Sequence, residues 1–411
     1  MSGSPKAIRG RHSRTGPRPI EAVAGATTMA VAAVLIAIGV FAFAVALARG
    51  DAGVAWQAYL VNLLFFLGIA QGGVVASASF YLTQAKWGGS TPYRLCEAFA
   101  PFLAVGVVLF VGLYFGRTLI FPWVLHPIPQ KSAWLNVPFL FARDGIALAI
   151  MAIASYAFIR MSRSDQARAW SVAVSDIELP PHSVRVLAPL LGVLYVFIYS
   201  LLAFDLIMSL APVWRSTLFG WFFFAGCFLS AVTAMALVAA ILRGRLGERN
   251  LFTNETIMHD LGKLVFAFSV FWVYLLFAQY IVIWYGDLPV ETFFIVQRVH
   301  HMPWRPLSIA CLVLIWLIPF IVLMSVRAKK NPLVLGIVSS LLLIGIWLER
   351  YVLIVPSLSL DAIPFGLVQL LISLGFLGAF LLCSVPGLNL VAQAATSGEP
   401  VGDDEEGAGE E

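Results

Sequence analysis

Charged residues are scarce in this chain: 12% of its 411 residues, against 60% hydrophobic. A soluble domain carries about twice that charged fraction. A water-soluble globule is therefore excluded, and a polytopic membrane protein is indicated. Cysteine is rarer still. Cys96, Cys227, Cys311 and Cys383 stand singly in apolar segments with no CxxC, which removes disulfide and zinc frameworks and leaves small apolar residues. Histidine is missing from the interiors of the apolar runs: His12, His182, His126, His300 and His301 lie in polar connections, and only His259 borders a run. Bis-histidine haem needs facing histidines within the bilayer, so a b-type cytochrome is excluded. No polar stretch could make a soluble domain, and any redox cofactor must come from another chain.

What is present is a series of apolar runs at about 22–48, 57–84, 95–121, 138–161, 186–210, 217–242, 258–286, 306–327, 333–355 and 361–385. Each is long enough for a membrane-spanning helix, which needs about 20 apolar residues. The fold class is all-α and polytopic, with about ten helices. The first run is too long for the h-region of a signal peptide and is read as a retained helix. Residues 1–20 form a basic tail, 21–385 the membrane domain, and 386–411 an acidic tail too polar and too Gly/Ser/Pro-rich to pack.

Basic residues orient the chain. With the N-terminus inside, Arg49, Lys131, Arg215, Arg298 and Arg305 fall outside, Arg117, Arg143 and Arg350 within spans, and the remaining 18 of the 26 Lys and Arg inside. Both termini are then cytoplasmic. The cations of the first tail (Lys6, Arg9, Arg11, Arg14, Arg18) read as a topology signal, not a nucleic-acid site. The inner loop 162–184 is polar and has room for a short surface helix. The outer connections 122–137 and 287–305 hold Pro and Trp in place of Gly and Ser. They read as ordered docking surfaces, with His126, Trp134, His300, His301 and Trp304 as candidate partner contacts.

Charges inside the spans mark where function is sought, because a charge at mid-bilayer costs on the order of 3 kcal/mol by insertion scales. At 1.5 Å per residue, Arg117 lies ~6 Å below the outer end of its helix, Arg143 and Asp144 ~8–9 Å, and Asp205 ~7 Å. Tyr59 and Asn62 come to a similar depth. Adjacent residues project about 100° apart, so Arg143 and Asp144 are not expected to face one spot. Two readings fit this layer. One is a buried ion pair that locks helices together. The other is a ligand pocket in which Asp205 or Asp144 accepts a proton from a hydroquinone. A looser series, Glu97, Gln71, His259, Asp260, Gln279, Glu349 and Arg350, fits a proton relay across the membrane or, equally, end charges and interhelical hydrogen bonds. Gly68 and Gly72, beside Gln71, form a small-xxx-small packing face. No residues have the spacing of a metal site.

The stretches YLVNLLFFLGIAQGGVV (59–75), WLNVPFLFARD (134–144), FDLIMSLAPVWRSTLFGW (204–221) and HHMPWRPLS (300–308) resemble the NrfD/PsrC-type quinone-interacting membrane subunits. They are most similar to the shorter ten-helix, ActF-type subunit of alternative complex III. The resemblance runs from about 20 to 385. It implies two four-helix bundles, helices 2–5 and 6–9, flanked by helices 1 and 10, in a bacterial inner membrane. It implies no resident cofactor, but an iron–sulfur/molybdopterin-type subunit and multihaem cytochromes c on the outer face, a longer ActC-like sister subunit, and electrons passing from quinol to a periplasmic carrier. The quinol site it implies lies in the first bundle near the outer face, the layer of Arg117, Arg143, Asp144, Asp205 and Asn62. Where related segments read Asp-Pro-His this chain has Ala211-Pro212-Val213. A purely structural anchor and an ion-coupled secondary transporter are the rival classes. For the transporter, helices 2–5 and 6–9 share no evident motif, and the proline-bearing breaks are expected at loops.

Overall fold

The computed structural model describes residues 25–83, 91–171, 182–246 and 255–396. The basic tail with His12, residues 172–181 of the inner loop, and residues 397–411 lie outside these. Among the described residues there are helices and no strands, and ten helices are long and apolar enough to cross a membrane. They are α1 (Ala26–Arg49), α2 (Ala52–Leu82), α3 (Arg94–Ile120), α4 (Val137–Ser162), α5 (Val184–Leu210), α6 (Phe219–Arg245), α7 (Glu255–Gly286), α8 (Trp304–Leu323), α9 (Pro332–Ser357) and α10 (Leu367–Asn389).

Packing follows a simple plan. Helices α2, α3, α4 and α5 touch in a ring, as do α6, α7, α8 and α9. The rings share a long seam between α2 and α6, while α1 pairs with α10 and both lean on α2. The small-xxx-small face makes the central seam: a Cβ on Gly68 would meet Cys227 Sγ at 2.8 Å, and one on Gly72 would meet the Cys227 carbonyl at 2.6 Å. Any larger side chain there would drive the two rings apart. In the outer pair, Gly39 and Gly375 face each other so closely that a Cβ on Gly39 would lie 2.5 Å from the Gly375 Cα.

Local signals set the helix ends. Gly50 closes α1 in the left-handed conformation (φ 89°), a geometry that glycine adopts without steric cost. Asn331 caps α9, its side chain accepting from Leu333 N and Val334 N, with Pro332 in the first helical position, where the missing N–H costs nothing.

Two boundaries differ from the sequence reading. The fourth helix runs on to Ser171 and the tenth to Thr396 with Pro386 inside it, so chain assigned to an inner loop and to an acidic tail is helical. The breaks are not confined to loops. Helix α3 opens at Ala98–Pro101, and α8 takes a π-turn at Val313–Leu317. Pro101 and Pro319 account for them, since proline lacks the N–H and clashes with the carbonyl four residues earlier. Carbonyls at the break also receive Tyr156, whose hydroxyl lies 3.2 Å from Ala100 O and 3.4 Å from Pro101 O.

Helices alternate in direction, so the connections 121–136, 211–218, 287–303 and 358–366 gather at one end of the bundle. They interlock there. The Lys131 ammonium donates to the Pro212 carbonyl, Trp214 stacks on Phe294 with ring centroids 3.7 Å apart, and Trp304 Nε1 donates to Leu360 O at 2.6 Å. Burial and the neighbouring Arg215 pull the Lys131 pKa below its usual range.

Candidate functional site

At the loop-rich end of the first ring, α4 carries Arg143 and Asp144 and the last turns of α5 carry Asp205. Both carboxylates are fully buried. Arg143 reaches Asp205 Oδ2 through Nε at 3.0 Å and Nη2 at 2.5 Å, and its Nε also lies 3.6 Å from Asp144 Oδ1. One long guanidinium thus bridges two carboxylates. The expectation that adjacent residues could not serve one spot fails because it followed Cβ directions and ignored the reach of arginine.

Trp134 completes the cluster. Its indole N–H donates to Asp205 Oδ1 at 2.9 Å, and the Arg143 guanidinium lies over its ring at 3.9 Å and over Phe139 at 4.5 Å. The residue read as a partner contact is thus also part of the charged site. Asp205 is held from both sides, whereas Asp144 is not. Neither Asp144 oxygen accepts a hydrogen bond, and Arg143 Nη1 donates none. Buried polar atoms in that condition are costly, so this is where the chain leaves hydrogen-bonding capacity unmatched.

Two residues expected in this layer do not join the cluster. Arg117 donates to Tyr114 O at 2.8 Å and lies over the Tyr114 ring; no carboxylate meets it among the described residues. Asn62 is buried, but its amide donates to Ala58 O and Ser373 Oγ, and its carbonyl accepts from Trp347 Nε1, all at 2.8–2.9 Å. That set ties α2 to α9 and α10 and uses both amide hydrogens of Asn62.

The looser series divides between the rings. In the first, Gln71 donates to Ser155 Oγ at 2.9 Å, and Glu97 Oε1 accepts from Ser162 at 2.9 Å and Ser77 at 3.2 Å, with Tyr81 hydrogen-bonded to Ser162. Asp144, Ser155 and Ser162 lie within about 20° of one azimuth on α4 at 3.6 residues per turn. Glu97 sits where α3 breaks. The serines were missed because a lone serine in an apolar run resembles filler; their spacing of seven from 155 to 162, and eleven back to Asp144, was the available signal.

In the second ring, Arg350 reaches Glu349 at 3.3 Å, lies over the Phe223 ring at 4.2 Å and approaches the Phe223 carbonyl at 3.3 Å. Gln279 is buried on α7. His259 and Asp260 make a local cluster with Lys263, whose ammonium is 2.7 Å from Asp260, at the far end of α7. They join neither group.

Of the remaining partner contacts, His126 and His300 are exposed, and His301 lies 3.5 Å from Asp361. Trp304 is wholly buried beneath the 358–366 connection, so it cannot meet a partner directly; its indole N–H needed a carbonyl, and Leu360 supplies one. Arg298, read from sequence as an outer loop cation, is buried. It donates to Val352 O, Leu353 O and Ser357 Oγ, satisfying carbonyls at the end of α9. Burial pulls its pKa well down.

Among the described residues no group of three His, Cys, Asp or Glu gathers to hold a metal. The family model for polysulphide reductase, NrfD, matches residues 46–360. The chain belongs to the NrfD family. A search of curated proteins found no match. This NrfD-family chain is a multi-pass membrane subunit of a quinone-interacting oxidoreductase. The matched stretch corresponds to the two rings, α2 to α9, and all but the last turn of α1 and the whole of α10 fall outside it.

Proposed function

We propose that this chain is the shorter, ActF-type membrane subunit of an alternative complex III, and that it takes up quinol in the first ring with Asp144 as the proton acceptor. The observation that carries the reading is the buried trio of Asp144 Oδ1, Asp144 Oδ2 and Arg143 Nη1, none of which completes a hydrogen bond although Asp144 lies against both Asp205 and Arg143. They offer two acceptors and one donor beside the aromatic faces of Trp134 and Phe139, the complement of a hydroquinone head. Asp205 is not the base in this reading. Held by Arg143 and Trp134, it is the positioning residue that fixes the guanidinium.

Oxidation of a hydroquinone releases two electrons and two protons. One proton passes to Asp144 and the other to water at the loop-rich end, which basic-residue counting places at the periplasmic face. The electrons leave to iron–sulfur/molybdopterin-type and multihaem cytochrome c subunits docked there, and from them to a periplasmic carrier. The chain supplies binding and proton acceptance and holds no redox centre of its own. Asp144 also stands at the head of the α4 face that carries Ser155 and Ser162, which favours a second role in proton conduction toward Glu97. Leu148 and Met151 fill the ~16 Å between Asp144 and Ser155, so that role requires water to enter.

The test is turnover of the whole complex with Asp144→Asn. General-base catalysis contributes roughly 10²–10⁴-fold, so quinol oxidation should fall at least about a hundredfold while the complex assembles and its haems reduce normally with dithionite. An assembled Asp144→Asn complex with unchanged turnover removes the proposed role.

A further inference from the structure

The second ring holds a cavity of about 750 Å³ between α7, α8, α9 and the surface helix Pro289–Val299, within the range of small-molecule sites. Trp272, Phe294, Trp316 and Phe320 are among its walls, and Tyr274, Phe277, Tyr280 and Ile309 lie along its rim. Those four rim residues are all exposed apolar or aromatic side chains. In a chain of ten spans an exposed apolar side faces hydrocarbon, so the cavity opens laterally to lipid. Its α8 wall is where the π-turn Val313–Leu317 displaces Trp316, a distortion that recurs at functional sites.

Polar atoms in this cavity are few and mismatched within the chain. Glu349, on the wall, is 4% exposed. Its Oε2 lies 3.3 Å from Arg350 Nη1 but accepts no hydrogen bond. The Trp272 indole N–H, also buried, faces Glu349 without completing a hydrogen bond to it. One acceptor and one donor are therefore left open against apolar walls. The cation in the lining, Arg298, is spent on the carbonyls of Val352 and Leu353 and on Ser357, which leaves nothing to neutralise a phosphate and excludes a phospholipid head. Gln279 lines both this cavity and a neighbouring one of about 600 Å³ that carries Arg215, Ser216, Thr217 and Glu291. The inner wall thus abuts a polar vestibule at the loop-rich end.

We infer that this cavity is a second, lipid-accessible binding site for a neutral quinone-class ligand: a flat ring bearing hydroxyl or carbonyl groups, with an apolar tail that leaves past Ile309. A ring hydroxyl donates to Glu349 Oε2 and a ring oxygen accepts from Trp272 Nε1, about 12 Å below the end of α9. No electron or proton step is assigned here. The site stands whether or not the first ring oxidises quinol.

The experiment is photolabelling of the complex in lipid nanodiscs with an azido-benzoquinone bearing a decyl tail, followed by peptide mapping. Expected adducts fall within 270–280 or 309–320, saturate, and are displaced by unlabelled decyl-hydroquinone kept reduced, whose ring hydroxyl can donate to Glu349. Leu312→Trp, which fills the cavity, should abolish them. Glu349→Gln should weaken displacement about tenfold, the value of one hydrogen bond to a charged group. Asp205→Asn should leave these adducts unchanged, which separates this site from the one in the first ring. Adducts confined to the first ring, or adducts displaced equally well by decanol, overturn the inference, the latter by reducing the cavity to an acyl-chain groove.

Discussion

Removing Arg143 tests the charged layer most directly. In Arg143→Met the side chain keeps its apolar stem but loses the guanidinium, so Asp205 loses contacts at 3.0 and 2.5 Å and retains Trp134 alone. Asp144 loses its neighbour at 3.6 Å. Breaking a buried pair by removing one partner costs about 3–5 kcal/mol, because a charge is stranded away from water. The double replacement Arg143→Met/Asp205→Leu strands one fewer carboxylate and should recover about half of that loss. The assay is thermal denaturation of the detergent-solubilised complex, followed by size-exclusion fluorescence at a fixed heating rate, since large assemblies unfold irreversibly. A double-mutant cycle isolates the coupling of contacting residues, expected at about 2–3 kcal/mol here. If the two single substitutions simply add, Arg143 and Asp205 are not coupled and the reading of Asp205 as a positioning residue falls.

Other outcomes follow from the same geometry. Gly72→Leu should abolish assembly, because a Cβ there meets the Cys227 carbonyl at 2.6 Å; a stable, active variant would mean the α2–α6 seam is looser than described. Ser155→Ala leaves the buried Gln71 amide without its partner and should cost about 1–3 kcal/mol, read as a lowered midpoint in the same denaturation assay. Arg298→Met should destabilise more than Arg305→Met, since Arg298 serves buried carbonyls and Arg305 is exposed; equal effects would deny Arg298 its role at the end of α9.

The ten spans were legible because each depends on bulk transfer free energy, which a run of about twenty apolar residues signals whatever its neighbours do. The charged layer was legible for the same reason: Arg143, Asp144 and Asp205 are expensive wherever they sit. Their partners were not, because pairing depends on side-chain reach and on helix rotation, neither of which has a local signature. Trp304 shows the limit. A tryptophan at a span end suits an interface, yet here the 358–366 connection folds over it, a fact carried more than fifty residues away. Ser155 and Ser162 fell to the opposite error, being individually cheap and informative only by spacing. The π-turn near Pro319 was missed because proline-bearing breaks were expected at loops, and so was the cavity beside it, which requires three helices and a surface helix to be placed at once.

The pairing of α1 with α10 bears on how the protein is made. Of the ten spans described, α1 is made before the others and its main partner α10 after them, across a seam in which Gly39 and Gly375 touch backbone to backbone. Until α10 has been made, the glycine-bearing face of α1 lacks that partner and has a smaller contact with α2. Insertion of the two rings can proceed in that interval, but closure of the outer pair cannot. Truncation at the C-terminus would therefore be felt at the opposite end of the sequence, and quality control that senses an unpaired small-residue face would read the first helix to learn whether the last has arrived.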